Sequence, residues 1–145
     1  TNINSFEELI EGFSYLVERF PDKDIIVQKQ IKGDYVEVII GVKEDYSFDK
    51  IVLIGVGGIL TELLKDYVIL VPPFTKDEMI SALSRLKLSK LFFGYRGKKV
   101  NFDLLYDISK KLIKLYEDEG LREIEINPLL IDENNAFAVD IRFIY

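Results

Sequence analysis

Near one end of the chain, Glu123-Ile124-Glu125-Ile126-Asn127-Pro128 alternates polar and apolar residues with a period of two. That period belongs to a strand with one face toward a core and the other toward polar surroundings. The proline places the strand's end at a sheet edge or a bulge. A second β-rich run, 136–144, follows Asp132-Glu133-Asn134-Asn135. With these residues as the loop, Ile131 pairs with Ala136, Asn127 falls opposite Asp140, and Glu125 falls opposite Arg142. Strict alternation sets Phe137, Val139, Ile141 and Phe143 on one face. Ala136, Ala138, Asp140 and Arg142 take the other, the alanines leaving room there. Directly opposed side chains lie about 4.5–5.5 Å apart at Cβ, close enough for two oxygen donors to share a hard cation such as Mg²⁺. The plain alternative is a solvated hairpin face with an ordinary Glu125–Arg142 ion pair of little energetic weight. The residues alone leave both readings open.

Upstream, Phe6, Leu9, Ile10, Phe13, Leu16, Val17 and Phe20 recur at helical spacing, with Ser5 and Glu8 as a capping box and Pro21 as the stop. Asp24–Ile31 reads as a strand, and Lys32-Gly33-Asp34 as a turn into a second strand, Tyr35–Lys43. A third strand, Lys50–Ile54, leads to Gly55-Val56-Gly57-Gly58. A short turn of helix is expected over Leu60–Lys65. A fourth strand, Tyr67–Val71, stops at Pro72-Pro73. Thr75 and Glu78 form a capping box for a helix to about Lys87. A short helix over Leu88–Phe93 and a long one from about Asn101 to Glu119 follow. Helix, four strands, helices and two strands make an α+β fold with mostly antiparallel pairing. Residues 1–145 are expected to form a single domain.

Composition excludes several classes of function. There is no cysteine and no histidine. Disulfides, thiolate or imidazole metal sites, Ser-His triads and a phosphohistidine on this chain are therefore excluded. The net charge of −6 argues against nucleic acid. No apolar run reaches membrane-spanning length and no signal sequence is evident, so cytoplasmic location is expected. Abundant Lys, Glu and Ile lean toward a thermophile.

The Gly55–Gly58 segment follows a strand, so its amides can cradle phosphate or simply turn the chain. It is neither a Walker sequence nor a dinucleotide fingerprint. Lys65 and Glu62 lie close after it. Glu37, on an otherwise apolar strand, needs either a partner or exposure at an edge.

Taken in order, Gln28 within Ile26–Gln30, Val36-Glu37-Val38-Ile39-Ile40-Gly41-Val42, Gly55-Val56-Gly57-Gly58-Ile59-Leu60-Thr61-Glu62, Lys65-Asp66, Gly94-Tyr95-Arg96-Gly97, Glu123–Leu129 and Ala138–Arg142 resemble the ATP-grasp part of ADP-forming acyl-CoA synthetases, such as the acetyl-CoA synthetase β subunit. More distantly, they are similar to the β subunit of succinyl-CoA synthetase. The resemblance implies an ATP-grasp C-terminal lobe and an acid–thiol ligase that interconverts acyl-CoA, ADP and phosphate with free acid, CoA and ATP. It implies Mg²⁺ held by Asn127 and Asp140, with Glu125 supporting the metal or a phosphohistidine loop. It places Gln28, Lys29 and Gln30 at the hinge beside the adenine of ATP or ADP, with Glu37, Gly57 and Gly58 also at the nucleotide. The implied partners are a CoA-binding α-type subunit or domain carrying the phosphohistidine, and a preceding nucleotide-binding lobe not contained in these residues. The isolated domain is then inactive. The family's Arg before the proline after the fourth strand is replaced by Leu70, which leaves a second reading: a non-catalytic ATP-grasp remnant binding nucleotide or a subunit.

Overall fold

A computed structural model describes residues 3–58 and 63–145. The first half of the helical turn expected over Leu60–Lys65, with Glu62, lies outside the described residues, and Leu63 and Leu64 are helical. The chain divides into two compact units between Gly33 and Asp34.

The first unit is built on α1 (Phe6–Arg19). Ser5 caps it by accepting from the Glu8 amide at 3.1 Å. The Glu8 carboxylate turns to the Asn4 amide, 2.7 Å away, rather than closing the box on Ser5. The strand expected over Asp24–Ile31 is absent: this segment is irregular, and Ile26 is 79% exposed. Its β-branched residues favour extended backbone, but a strand exists only by pairing, and no ladder forms along it. The hairpin expected between this segment and Tyr35–Lys43 is therefore absent too.

In the second unit, the elements run β1 (Val36–Asp45), β2 (Asp49–Val56), β3 (Tyr67–Leu70), α2 (Lys76–Leu83), α3 (Lys90–Phe93), α4 (Phe102–Asp118), β4 (Glu123–Ile131), β5 (Ala136–Ala138) and β6 (Ile141–Ile144). Every ladder is antiparallel, in the order β3-β2-β1-β4-β5, with β6 also on β4. This is the mostly antiparallel sheet flanked by helices that the residue pattern predicted. Alternate residues of the central strands, including Val38, Ile40, Val42, Val52, Ile54, Ile124 and Ile126, join Met79, Leu83, Phe92 and Leu105 in one core. Full burial of each such side chain stabilises the fold by about 1.5–3 kcal/mol before entropic costs.

Local chemistry sets the helix ends. Thr75 and Glu78 close a full capping box on α2. The helix stops at Leu83 rather than Lys87, because the buried Asp66 carboxylate takes the amides of Lys87 (3.0 Å) and Leu88 (2.8 Å). Asn101 caps α4 through the Leu104 amide at 3.0 Å and donates to the Glu133 carbonyl at 2.9 Å, tying the helix to the β4–β5 turn. No helix among the described residues is long and apolar enough to cross a membrane.

Candidate functional site

The terminal hairpin keeps the register expected from its loop. Ile131 pairs with Ala136, and Glu125 pairs with Arg142. Between those ladders the Asn127 amide donates to the Asp140 carbonyl at 3.0 Å, and the Val139 amide donates to the Pro128 carbonyl at 3.2 Å. Asn127 and Asp140 are thus opposed as counted.

The faces are not as alternation predicted. Against β1, both Asn127 and Pro128 oppose Ile39, a bulge that shifts the register between Val38 and Ile40. The buried residues of β4 accordingly change from Ile124 and Ile126 to Leu129 and Ile131. The return strand breaks at Val139 and Asp140, between β5 and β6, because Pro128 has no N–H to give the ladder. Ala136 packs against the core, and Ala138 pairs with core residue Leu129. The alanines therefore do not share the face of Asp140 as expected. Phe137 lies on the opposite side, edge-on to Tyr35 with ring centroids 5.7 Å apart.

At this waist, residues distant in sequence meet. Gly57, just beyond β2, donates its amide to the Glu37 carbonyl at 2.8 Å. The Gly58 amide donates to Asn127 Oδ1 at 2.9 Å. Gly58 holds φ +67, and a methyl group there would overlap the Glu37 carboxylate. A Cβ on Gly57 would lie 2.5 Å from the Val38 carbonyl carbon. Glycine is required at Gly57 by close approach to the β1 backbone, and favoured at Gly58 by its left-handed φ, the Glu37 carboxylate being an exposed side chain that can swing away. Glu37 is exposed, but not at an edge as one of its two expected situations had it, since β1 lies between β2 and β4.

Glu125 is partly buried on the outer face of the sheet, opposite Gly41 and Arg142. Arg142 makes its ion pair diagonally with Glu123, not with Glu125. Gly41 makes space there, since a Cβ on it would stand 3.0 Å from the Ile124 carbonyl oxygen. Leu70 packs against the core. In the first unit, Gln28, Lys29 and Gln30 line a groove of about 500 Å³ with Phe13 and Leu16 of α1. Lys65 is exposed, with a left-handed backbone.

The oxygen donors beside Gly58 are the Asn127 amide and the Glu37 carboxylate, with Asp140 opposed to Asn127 through its backbone. Such a set fits a hard cation, with no soft ligand present. Among the described residues no group of three or more carboxylates converges to hold a metal alone. A Mg²⁺ ion here must draw the rest of its shell from waters and phosphates, as Mg²⁺ commonly does. The latch between Gly58 and Asn127 was invisible in the local pattern; its only sequence signal was a glycine pair following a strand.

The chain has relatives among known proteins. Residues 1–144 match the ATP-grasp domain. The chain is 36% identical to the β subunit of the ADP-forming acetate–CoA ligase I of Pyrococcus furiosus, across 99% of its own length and 65% of the relative's. It is 30% identical to the ADP-forming acetate–CoA ligase II of Archaeoglobus fulgidus, again across 99% of this chain but 21% of that protein. It therefore spans less than two thirds of either curated relative. Among solved structures, it superposes with a TM-score of 0.83 and 27% identity on the dinucleotide forming acetyl-coenzyme A synthetase 1 of Ca. Korarchaeum cryptofilum, covering 99% of this chain and 66% of that one. That protein was solved with coenzyme A and Mg-AMPPCP, its phosphohistidine segment pointing towards the nucleotide binding site. With a match across essentially its whole length, this chain belongs to the ATP-grasp domain family.

Proposed function

We propose that this chain is the Mg²⁺- and nucleotide-binding lobe of an ADP-forming acyl-CoA synthetase of the acetate–CoA ligase type. The complete enzyme interconverts acyl-CoA, ADP and phosphate with free acid, CoA and ATP. The observation that carries the reading is the opposition of Asn127 and Asp140 beside a glycine turn held by Glu37 and Asn127. The lobe that closes over the nucleotide lies outside these residues.

Asp140 and Asn127 supply oxygen donors to Mg²⁺, with the Glu37 carboxylate close by. The Gly57–Gly58 turn borders the phosphates through its shape, since its own amides are taken by the Glu37 carbonyl and Asn127 Oδ1. Glu125, on the same outer face, orients the metal shell or the incoming phosphohistidine segment. Gln28, Lys29 and Gln30 contact the adenine of ATP or ADP. When bound, Mg²⁺ would neutralise charge that develops as the phosphoryl group moves. This chain has no histidine, so the phosphoryl relay is carried by a CoA-binding partner subunit or domain. Cytoplasmic location and a thermophilic source fit the relatives' type of chemistry and the residue usage.

Leu70 supports a second reading, since a leucine packed against the core stands where the resemblance implies an arginine. In that reading the lobe binds nucleotide or a subunit without turnover. Calorimetry and a coupled ATP-forming assay on the assembled protein separate the two. Mg-ADP binding that is lost in Asp140→Ala, together with turnover, is expected. Binding without turnover selects the second reading, and absence of Mg-ADP binding eliminates both as nucleotide sites.

A further inference from the structure

Gly57 and Gly58 are fixed from two directions. The Glu37 carbonyl takes the amide of Gly57, while Asn127 Oδ1 takes that of Gly58. Glu37 belongs to β1. Asn127 belongs to β4, which lies beyond β1 from the strand that leads into the turn. The Asn127 side chain therefore reaches across the central strand to a backbone 69 positions away in sequence. The bulge at Asn127–Pro128 frees that side chain from the regular pleat and aims it at the turn. A side chain on Gly57 would press on the backbone of β1, so the turn has no slack on that side; one on Gly58 would have to displace the Glu37 carboxylate and hold a left-handed backbone.

We propose that Asn127 is a positioning residue for the Gly57–Gly58 turn. It holds the phosphate-facing backbone in its binding shape before nucleotide or metal arrives, whereas Asp140 acts only on the cation. This rests on the reading of the site as a Mg-nucleotide site. An asparagine that served only as a metal ligand would leave Gly58 indifferent to its removal in ligand-free protein. A preformed turn lowers the ordering cost of binding, so its loss weakens nucleotide affinity even with Asp140 intact.

Amide hydrogen exchange at Gly58 in the ligand-free assembled protein tests the latch. Asn127→Ala is expected to speed exchange by about tenfold, the scale of one lost hydrogen bond. Asn127→Asp should exchange near the wild-type rate, because its carboxylate accepts the same N–H. Asp140→Ala should exchange as wild type. Mg-ADP calorimetry tests the consequence: Gly58→Ala, which keeps Asn127 and Asp140 but also moves the Glu37 carboxylate, should weaken binding about as much as Asn127→Ala and more than Glu37→Ala. Wild-type exchange in Asn127→Ala, or wild-type affinity in Gly58→Ala, overturns the proposal. If wild type binds Mg-ADP but Gly58 ignores Asn127, only the positioning role falls. If Gly58 depends on Asn127 yet wild type binds no Mg-ADP, the nucleotide reading falls and takes the phosphate-facing role with it.

Discussion

The two faces of the sheet divide the core from the candidate site along the same strand. On one face of β4, Ile124 and Ile126 are buried under α4 and its neighbours in the common core. On the other, Glu123, Glu125 and Asn127 are only partly buried, and the return strand adds exposed Asp140 and Arg142. The period of two makes this division possible, and the bulge at Asn127–Pro128 interrupts it where the candidate site lies. Apolar residues on either side of the bulge keep pointing into the core only because both strands reverse faces there together. A regular hairpin would have carried the alternation straight through. Here the irregular waist gives Asn127 and Asp140 freedom from the pleat, while the ladders above and below hold them in register.

The sharpest way to break this comparison is to mutate across it. Ile124→Ala removes a side chain that is 1% exposed and is expected to cost about 2–5 kcal/mol in denaturant unfolding. Mg-ADP affinity should survive wherever the variant is folded. Asp140→Ala should do the reverse. Its side chain is exposed, so unfolding free energy should shift by no more than about 0.5 kcal/mol. Affinity for Mg-ADP should fall by at least about 100-fold, or about 2.8 kcal/mol at 1.4 kcal/mol per tenfold. A large stability loss in Asp140→Ala, with affinity retained, would show that the outer face is structural and that the division is wrong.

The register of the hairpin was legible because a loop with strong turn residues sets it by counting. Asp132 accepts the amides of Asn134 and Asn135, so the turn stays short and Ile131 meets Ala136. The face reversal was not legible. Pro128 announced a bulge or an edge, but not that Val139 and Asp140 would break in step and return the pairing to register. Asp24–Ile31 was overread as a strand because β-branched composition reports a preference, not a partner. The reach of Asn127 to Gly58 depends on three strands lying side by side, which no local window contains. Core positions fared better: burial follows periodicity wherever the backbone is regular, as along Val38, Ile40 and Val42.

The turn that fixes the register offers the smallest and most pH-specific test. The Asn134 and Asn135 amides, bonded to Asp132 at 2.7 and 2.6 Å, hold its carboxyl below the usual value of 3.8. A carboxylate with a lowered folded-state pKa contributes stability that is fully present above the unfolded value, near 3.8. That contribution is lost as pH falls through the still lower folded value. Asp132→Ala should therefore melt a few degrees below wild type at neutral pH, and the gap should close below about pH 4. The two melting curves, followed from pH 7 down into that window, decide it. A gap that persists undiminished in acid would mean the loop holds its shape without the charge. The register that opposes Asn127 to Asp140 would then be set by the paired apolar residues of β4 and β5, not by the turn.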